Sequence, residues 1–215
     1  MSHISVAADQ PSNYPKIKRK PDWFGAASHG KVGMWIFLVT DAFSFAGLLI
    51  AYAVLRARNP AWPVPEQILG IPLSAFATFL LICSSVTMVL AQLAGEGRDS
   101  KKMLKYLLLT ALGGAIFLGI QAYEYTHLAH DKGMSFAHFL SDPAGPDQFA
   151  STFFIVTGFH GFHVFTGVCY LLFIAYFTSK GRYDNGNVNE VEICGLFWHF
   201  VDLVWILVFT FIYLI

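Results

Sequence analysis

The segment STFFIVTGFHGFHVFTG, Ser151 to Gly167, carries two histidines three residues apart in an otherwise apolar run. Residues three, four and seven apart share a helix face. His160 and His163 therefore point the same way, with Thr157 and Gly167 beside them. Two imidazoles on one face can ligate a metal or a haem iron, pass protons, or bond to a neighbouring helix. Ligation needs neutral rings that converge on one point with supporting groups behind them, and this spacing alone does not supply those. Hydrogen-bonded packing is the preferred reading; ligation and proton relay are the alternatives. Further ionisable residues lie in similar surroundings. Asp41 follows Thr40 and precedes Ser44, and either handles protons or bonds to those hydroxyls. Glu124 follows Gln121 and is expected near a membrane interface. Glu192, His199 and Asp202 fall on one helical stripe, which predicts a bond from His199 to Asp202 along their own helix. The two stripes are expected to meet inside a bundle as a buried polar seam. No nucleophile elbow, P-loop or metalloprotease helix occurs, and no catalytic, cofactor or metal residue is assigned in this chain.

The elements that position these residues follow from composition. Apolar residues make up 55 % of the 215 positions and charged residues only 13 %, against about 25 % charged in soluble domains. A single water-soluble core cannot hide so much apolar surface. Lys plus Arg equals Asp plus Glu, 14 of each, so a nucleic-acid partner has no electrostatic support. Cys83, Cys169 and Cys194 form no CxxC pair and read as packing residues.

Five apolar segments stand out, at about residues 34–55, 69–93, 103–123, 152–177 and 194–215. Each approaches or exceeds the ~20 residues that cross a bilayer core. An open chain in lipid must satisfy its own backbone, so each is a helix. The expected architecture is all-α: a polar basic tail over 1–30, then a five-helix transmembrane domain over 31–215. The connection from about Thr126 to Ala150 holds His127, His130 and His138, and a short interfacial helix is predicted over Met134–Leu140. Lys and Arg cluster in the tail and in the second and fourth connections, while Arg56, Arg58 and Lys132 alone lie on the other side. The positive-inside rule then puts the N-terminus in the cytoplasm and the C-terminus outside. Trp35, Trp62, Trp198 and Trp205, near span ends, are expected to anchor at headgroup level. Lys180 and Arg182 at a cytoplasmic end are candidates for a lipid phosphate. Buried ionisable groups cost about 2.5–3.5 kcal/mol each at the bilayer centre, so Asp41, Glu124, His160, His163, His199 and Asp202 need partners or a purpose.

The Ser151–Gly167 run resembles the signature of subunit III of the haem-copper terminal oxidases. So does the last span, VEICGLFWHFVDLVWILVFTFIYLI, Val191 to Ile215. GMWIFLVTDAFSFAGL (Gly33–Leu48), EGRDSKKML (Glu96–Leu104) and QAYEYTH (Gln121–His127) are similar to further segments of that family. Many members have seven helices; five are expected here, as in the quinol-oxidase forms. The acidic residue of the first shared helix is Asp41 where cytochrome c oxidases often carry glutamate, and the electron donor is left open. The resemblance implies a non-catalytic subunit of a proton-pumping oxygen reductase in a bacterial inner membrane. It implies that haem and copper reside in partner subunits and not in this chain. Subunit I is the implied main contact, with subunit II in the same complex. Bound phospholipid and support of proton uptake in subunit I are implied as well. An accessory protein of a nitric oxide reductase and a stand-alone proton channel or transporter are the alternatives.

Overall fold

The computed structural model describes residues 28–60, 62–132 and 148–215. Nearly all of the expected tail, the predicted helix over Met134–Leu140, and His138 lie outside the described residues. The chain forms α1 (His29–Arg58), a single turn α2 (Pro65–Ile68), α3 (Ile71–Glu96), α4 (Ser100–Lys132), α5 (Gln148–Ser179) and α6 (Asn189–Phe209). A π-helical turn, Thr210–Leu214, continues α6. Five of these helices are long and apolar enough to cross a membrane, so the expected all-α, five-span class is the one observed. They extend beyond the expected apolar cores. α4 runs about two turns past Tyr123, because no Gly or Pro interrupts the sequence between Tyr123 and Lys132. His127 and His130 therefore belong to a helix and not to a connection.

Local chemistry sets the helix ends. Ser28 caps α1, its hydroxyl accepting from the Lys31 amide at 3.3 Å. Proline occupies the first turn of both α2 and α3, where its missing N–H leaves nothing unpaired. α3 closes in a Schellman turn: Asp99 N–H reaches Ala94 O at 2.9 Å and Arg98 N–H reaches Gly95 O at 3.0 Å. Its left-handed residue is Arg98, at φ 57°, and no glycine takes that place. Asp99 then caps α4, accepting from the Lys102 amide at 3.1 Å, and its carboxyl is held below the usual range by the Lys102 contacts. The turn is braced by the α5–α6 loop, where Ser100 bonds Asp184 and the Arg98 side chain lies over Gly186. Glu190, in the first turn of α6, accepts from two residues of that loop, Arg182 at 2.5 Å and the Tyr183 phenol at 2.6 Å. Burial, then the bond to Glu190, pushes the Tyr183 phenol well above its ordinary value.

α3 and α4 form a hairpin, α5 packs on α4, and α6 lies against α3 and α5; α1 packs on α6 and α5. The last span is 56 % buried and α1 only 22 %, so α6 is the axis of the bundle and α1 its outlier. Three helices close around Trp198 of α6. A Cβ at Gly114 of α4 would overlap the indole, and one at Gly167 of α5 would come within 2.9 Å of it. The expectation that Trp198 and Trp205 anchor at the membrane surface is corrected: they are 1 % and 2 % exposed. Their indole N–H groups donate to Ser84 at 3.1 Å and Thr78 at 2.8 Å, both on α3. Trp35, by contrast, is 57 % exposed.

Gly114→Ala should lower the thermal midpoint of the detergent-solubilised protein, with an overpacking cost of about 1–3 kcal/mol. Gly119→Ala, where nothing lies within 4 Å, should not. Equal melting of the two variants would show that Trp198 is not seated between these helices.

Candidate functional site

Hydropathy drives these helices into lipid, and each polar side chain inside them must then meet another helix. Asp41 of α1 faces His163 of α5, with Oδ2 3.2 Å from Nε2. The other ring nitrogen, Nδ1, lies 2.8 Å from Phe159 O and donates to it, since a carbonyl only accepts. The carboxyl thus stands at ion-pair distance from Nε2, and Oδ2 makes no hydrogen bond among the described residues. The expected bonds from Asp41 to its neighbouring hydroxyls do not form. Thr40 bonds Phe37 O at 2.8 Å and Ser44 bonds Thr40 O at 3.3 Å.

His160 points elsewhere. Its Nε2–H donates to Val201 O on α6 at 3.1 Å. Its ring lies 4.7 Å from Trp205 and 5.7 Å from Phe117. Among the described residues Nδ1 has no hydrogen-bond partner.

Glu124 of α4 is buried within the bundle, 8 % exposed. Ser74 of α3 donates to Oε1 at 3.0 Å and Tyr213 of the π turn donates to Oε2 at 2.8 Å. The π turn brings Ile212 and Tyr213 both fully inside. A cavity of about 250 Å³ opens beside this carboxyl, under α2. One turn earlier, Gln121 donates to Thr157 O at 2.7 Å and to the Tyr125 hydroxyl at 3.1 Å.

The α6 stripe divides. Glu192 pairs with Lys31 of α1. His199 Nδ1 lies 2.6 Å from the Ser85 hydroxyl of α3. The ring thus turns a nitrogen to α3, where the sequence predicts a bond along its own helix to Asp202. Arg182 is engaged by Glu190 and lies over Phe177, 4.9 Å from the ring centre; Lys180 sits over Tyr176 at 5.6 Å.

The structure therefore brings together Asp41 with His163, and His199 with Ser85. It keeps Glu124, His160 and Glu192 apart from them and from each other. Among the described residues no three His, Cys, Asp or Glu side chains converge as a metal requires. Reasoning from charged residues missed the partners Ser74, Thr78 and Ser85 on α3, and Tyr213, and placed Thr157 of α5 beside the histidines, where it instead meets Gln121 and Tyr125. A signal for three of them was present, since Ser74, Thr78 and Ser85 recur along one face of the second span.

Comparison with known proteins adds an independent observation. A family profile, Cytochrome c oxidase subunit III, matches residues 25–215. The chain is 33 % identical over 183 residues to "Cytochrome c oxidase subunit 3" of Bacillus sp. (strain PS3), covering 85 % of this chain and 84 % of that one. It is 32 % identical to the protein of that name from Thermostichus vulcanus, covering 86 % of each chain. It is also 33 % identical to "Cytochrome bo(3) ubiquinol oxidase subunit 3" of Pseudomonas putida, covering 86 % of this chain and 84 % of that one.

Tyr213→Phe should leave Glu124 Oε2 without its donor and destabilise the fold by about 1–3 kcal/mol, read as a fall in melting temperature in detergent. Combining it with Glu124→Gln should cost less than the two single losses added together. Full additivity would show that the Tyr213–Glu124 bond contributes nothing.

Proposed function

Because this chain belongs to the cytochrome c oxidase subunit III family, we propose that it serves as the non-catalytic third subunit of a proton-pumping haem-copper oxygen reductase. In that assembly four electrons reduce oxygen to water while protons cross the membrane. The redox chemistry belongs to haem and copper in the partner subunits. The role of this chain is to buttress subunit I, support proton uptake there and hold phospholipid, with subunit II in the same complex. The setting is a bacterial inner membrane, with the N-terminus cytoplasmic and the C-terminus periplasmic, in keeping with the distribution of Lys and Arg.

One observation carries the scaffold reading. The buried polar side chains bond across helices: Asp41 ties α1 to α5, Glu124 ties α4 to α3 and the π turn, His160 ties α5 to α6, and His199 ties α6 to α3. Side chains so engaged fix the rotation of each helix and present a constant outer surface. That surface is apolar: Phe43 of α1 is 74 % exposed, along with much of the outward face of every span.

The Asp41–His163 pair favours one rival reading, since a carboxyl set 3.2 Å from an imidazole nitrogen is an arrangement a relay can use. Asp41→Leu separates the two. On the scaffold reading it lowers the yield of assembled complex, while turnover per assembled complex is kept. Normal assembly with a selective loss of proton uptake would replace the scaffold reading by the relay. The assembly itself is tested by purification from native membranes in mild detergent, with mass spectrometry of what accompanies the chain. A haem-copper subunit I with subunit II is the expected result; nitric oxide reductase subunits would overturn it.

A further inference from the structure

α1 and α6 run parallel and in register. Ser28 bonds Asn189 at 2.7 Å across 161 residues, and Lys31 pairs with Glu192 at the same offset. Below these contacts the helices part and leave a groove of about 360 Å³. Trp35, Leu38 and Ala42 line one wall and Leu196, His199 and Leu203 the other. Each triplet is spaced three then four, the pattern of a helix seam, and the two triplets keep the same offset. Two parallel ridges with a trough between them are the receiving surface for a third helix packed along both.

The groove also holds one polar group that its walls do not satisfy. Nδ1 of His199 bonds Ser85 on α3, while Nε2 has no partner among the described residues. His199 lies ten residues into a span of 26 residues, which is ~15 Å from its nearer end. That depth falls inside the ~30 Å hydrocarbon layer. Lipid at this depth offers acyl chains, which neither donate nor accept, so a lipid occupant would leave the ring nitrogen unpaired. The groove between α3 and α4 provides the contrast. Its hydroxyls are already engaged, Thr87 with Thr110 at 2.7 Å and Ser84 with Leu81 O at 2.6 Å, so acyl chains suit it.

We propose that the α1–α6 groove is the docking surface for a transmembrane helix of another subunit, which sets a hydroxyl or amide side chain against Nε2 of His199. This rests on the subunit III reading and names the surface through which that role is exercised. The test uses the whole complex in native membranes, with a photo-crosslinking phenylalanine derivative placed in this chain at Ala42 or Val39, and at Leu112 in the α3–α4 groove as control. The expected adducts at Ala42 and Val39 are to one transmembrane segment of an oxidase subunit that carries a polar residue within a turn of the crosslink. Leu112 is expected to yield lipid adducts. Lipid adducts alone at Ala42 and Val39, in a complex that retains its oxidase subunits, would overturn the groove assignment and leave the subunit III reading standing. Crosslinks to an oxidase subunit from Leu112 in place of Ala42 and Val39 would do the same. A chain that purifies without oxidase subunits would overturn the reading beneath it, and the assignment with it.

Discussion

The close approach of α4, α5 and α6 around the Trp198 indole is the contact from which the remaining geometry follows. Between helices in lipid the hydrophobic effect gives little net attraction, because the tails are as apolar as leucine. Shape has to do what exclusion from water does elsewhere. Gly114 and Gly167 open a slot that any side chain would fill, and the indole occupies it from the third helix. Its N–H then reaches Ser84 of α3, so one side chain relates four helices. Beside it, a Cβ at Gly113 would stand 2.8 Å from that of Ser84, which fixes how closely α3 and α4 approach.

With the spacing set in this way, the polar side chains select rotation. Interhelical hydrogen bonds in membranes are worth about 0.6 kcal/mol on average, too little to assemble five spans. Their effect is on the alternatives. Turning α1 about its axis would strip Asp41 of His163, and turning α4 would strip Glu124 of both its donors. A charge stranded at membrane depth costs several times what the bond contributes. The hydroxyls of α3 act as partners for groups on α4 and α6, which is why a helix with no charged residue between Ile71 and Gly95 is central to the polar organisation.

The number, type and order of the spans were legible in the sequence, because length and hydropathy alone force them. The family was legible in the histidine run and in the last span. What could not be read was direction. Trp198 and Trp205 sit where an interface residue would sit by count along the chain, yet they point inward, and inward is defined only once helices pack. Asp41 has local hydroxyls to bond and instead meets a residue more than a hundred positions away. Glu124 likewise has no partner in its own stretch of sequence and finds its donors on other elements. Its partner Tyr213 comes inward on a π turn that the apolar sequence at the C-terminal end does not announce.

The order in which the helices meet has a consequence for how the protein is made. α1 leaves the ribosome ahead of the other four spans, yet its packing partners are α5 and α6, the last two. Until α5 arrives, the Asp41 carboxyl has entered the membrane with no imidazole to face. The α3–α4 hairpin can close on itself as soon as it is synthesised; α1 must wait beside it. The least buried helix of the finished protein is therefore also the one that spends longest unassembled, and the insertion machinery has the most reason to shelter it.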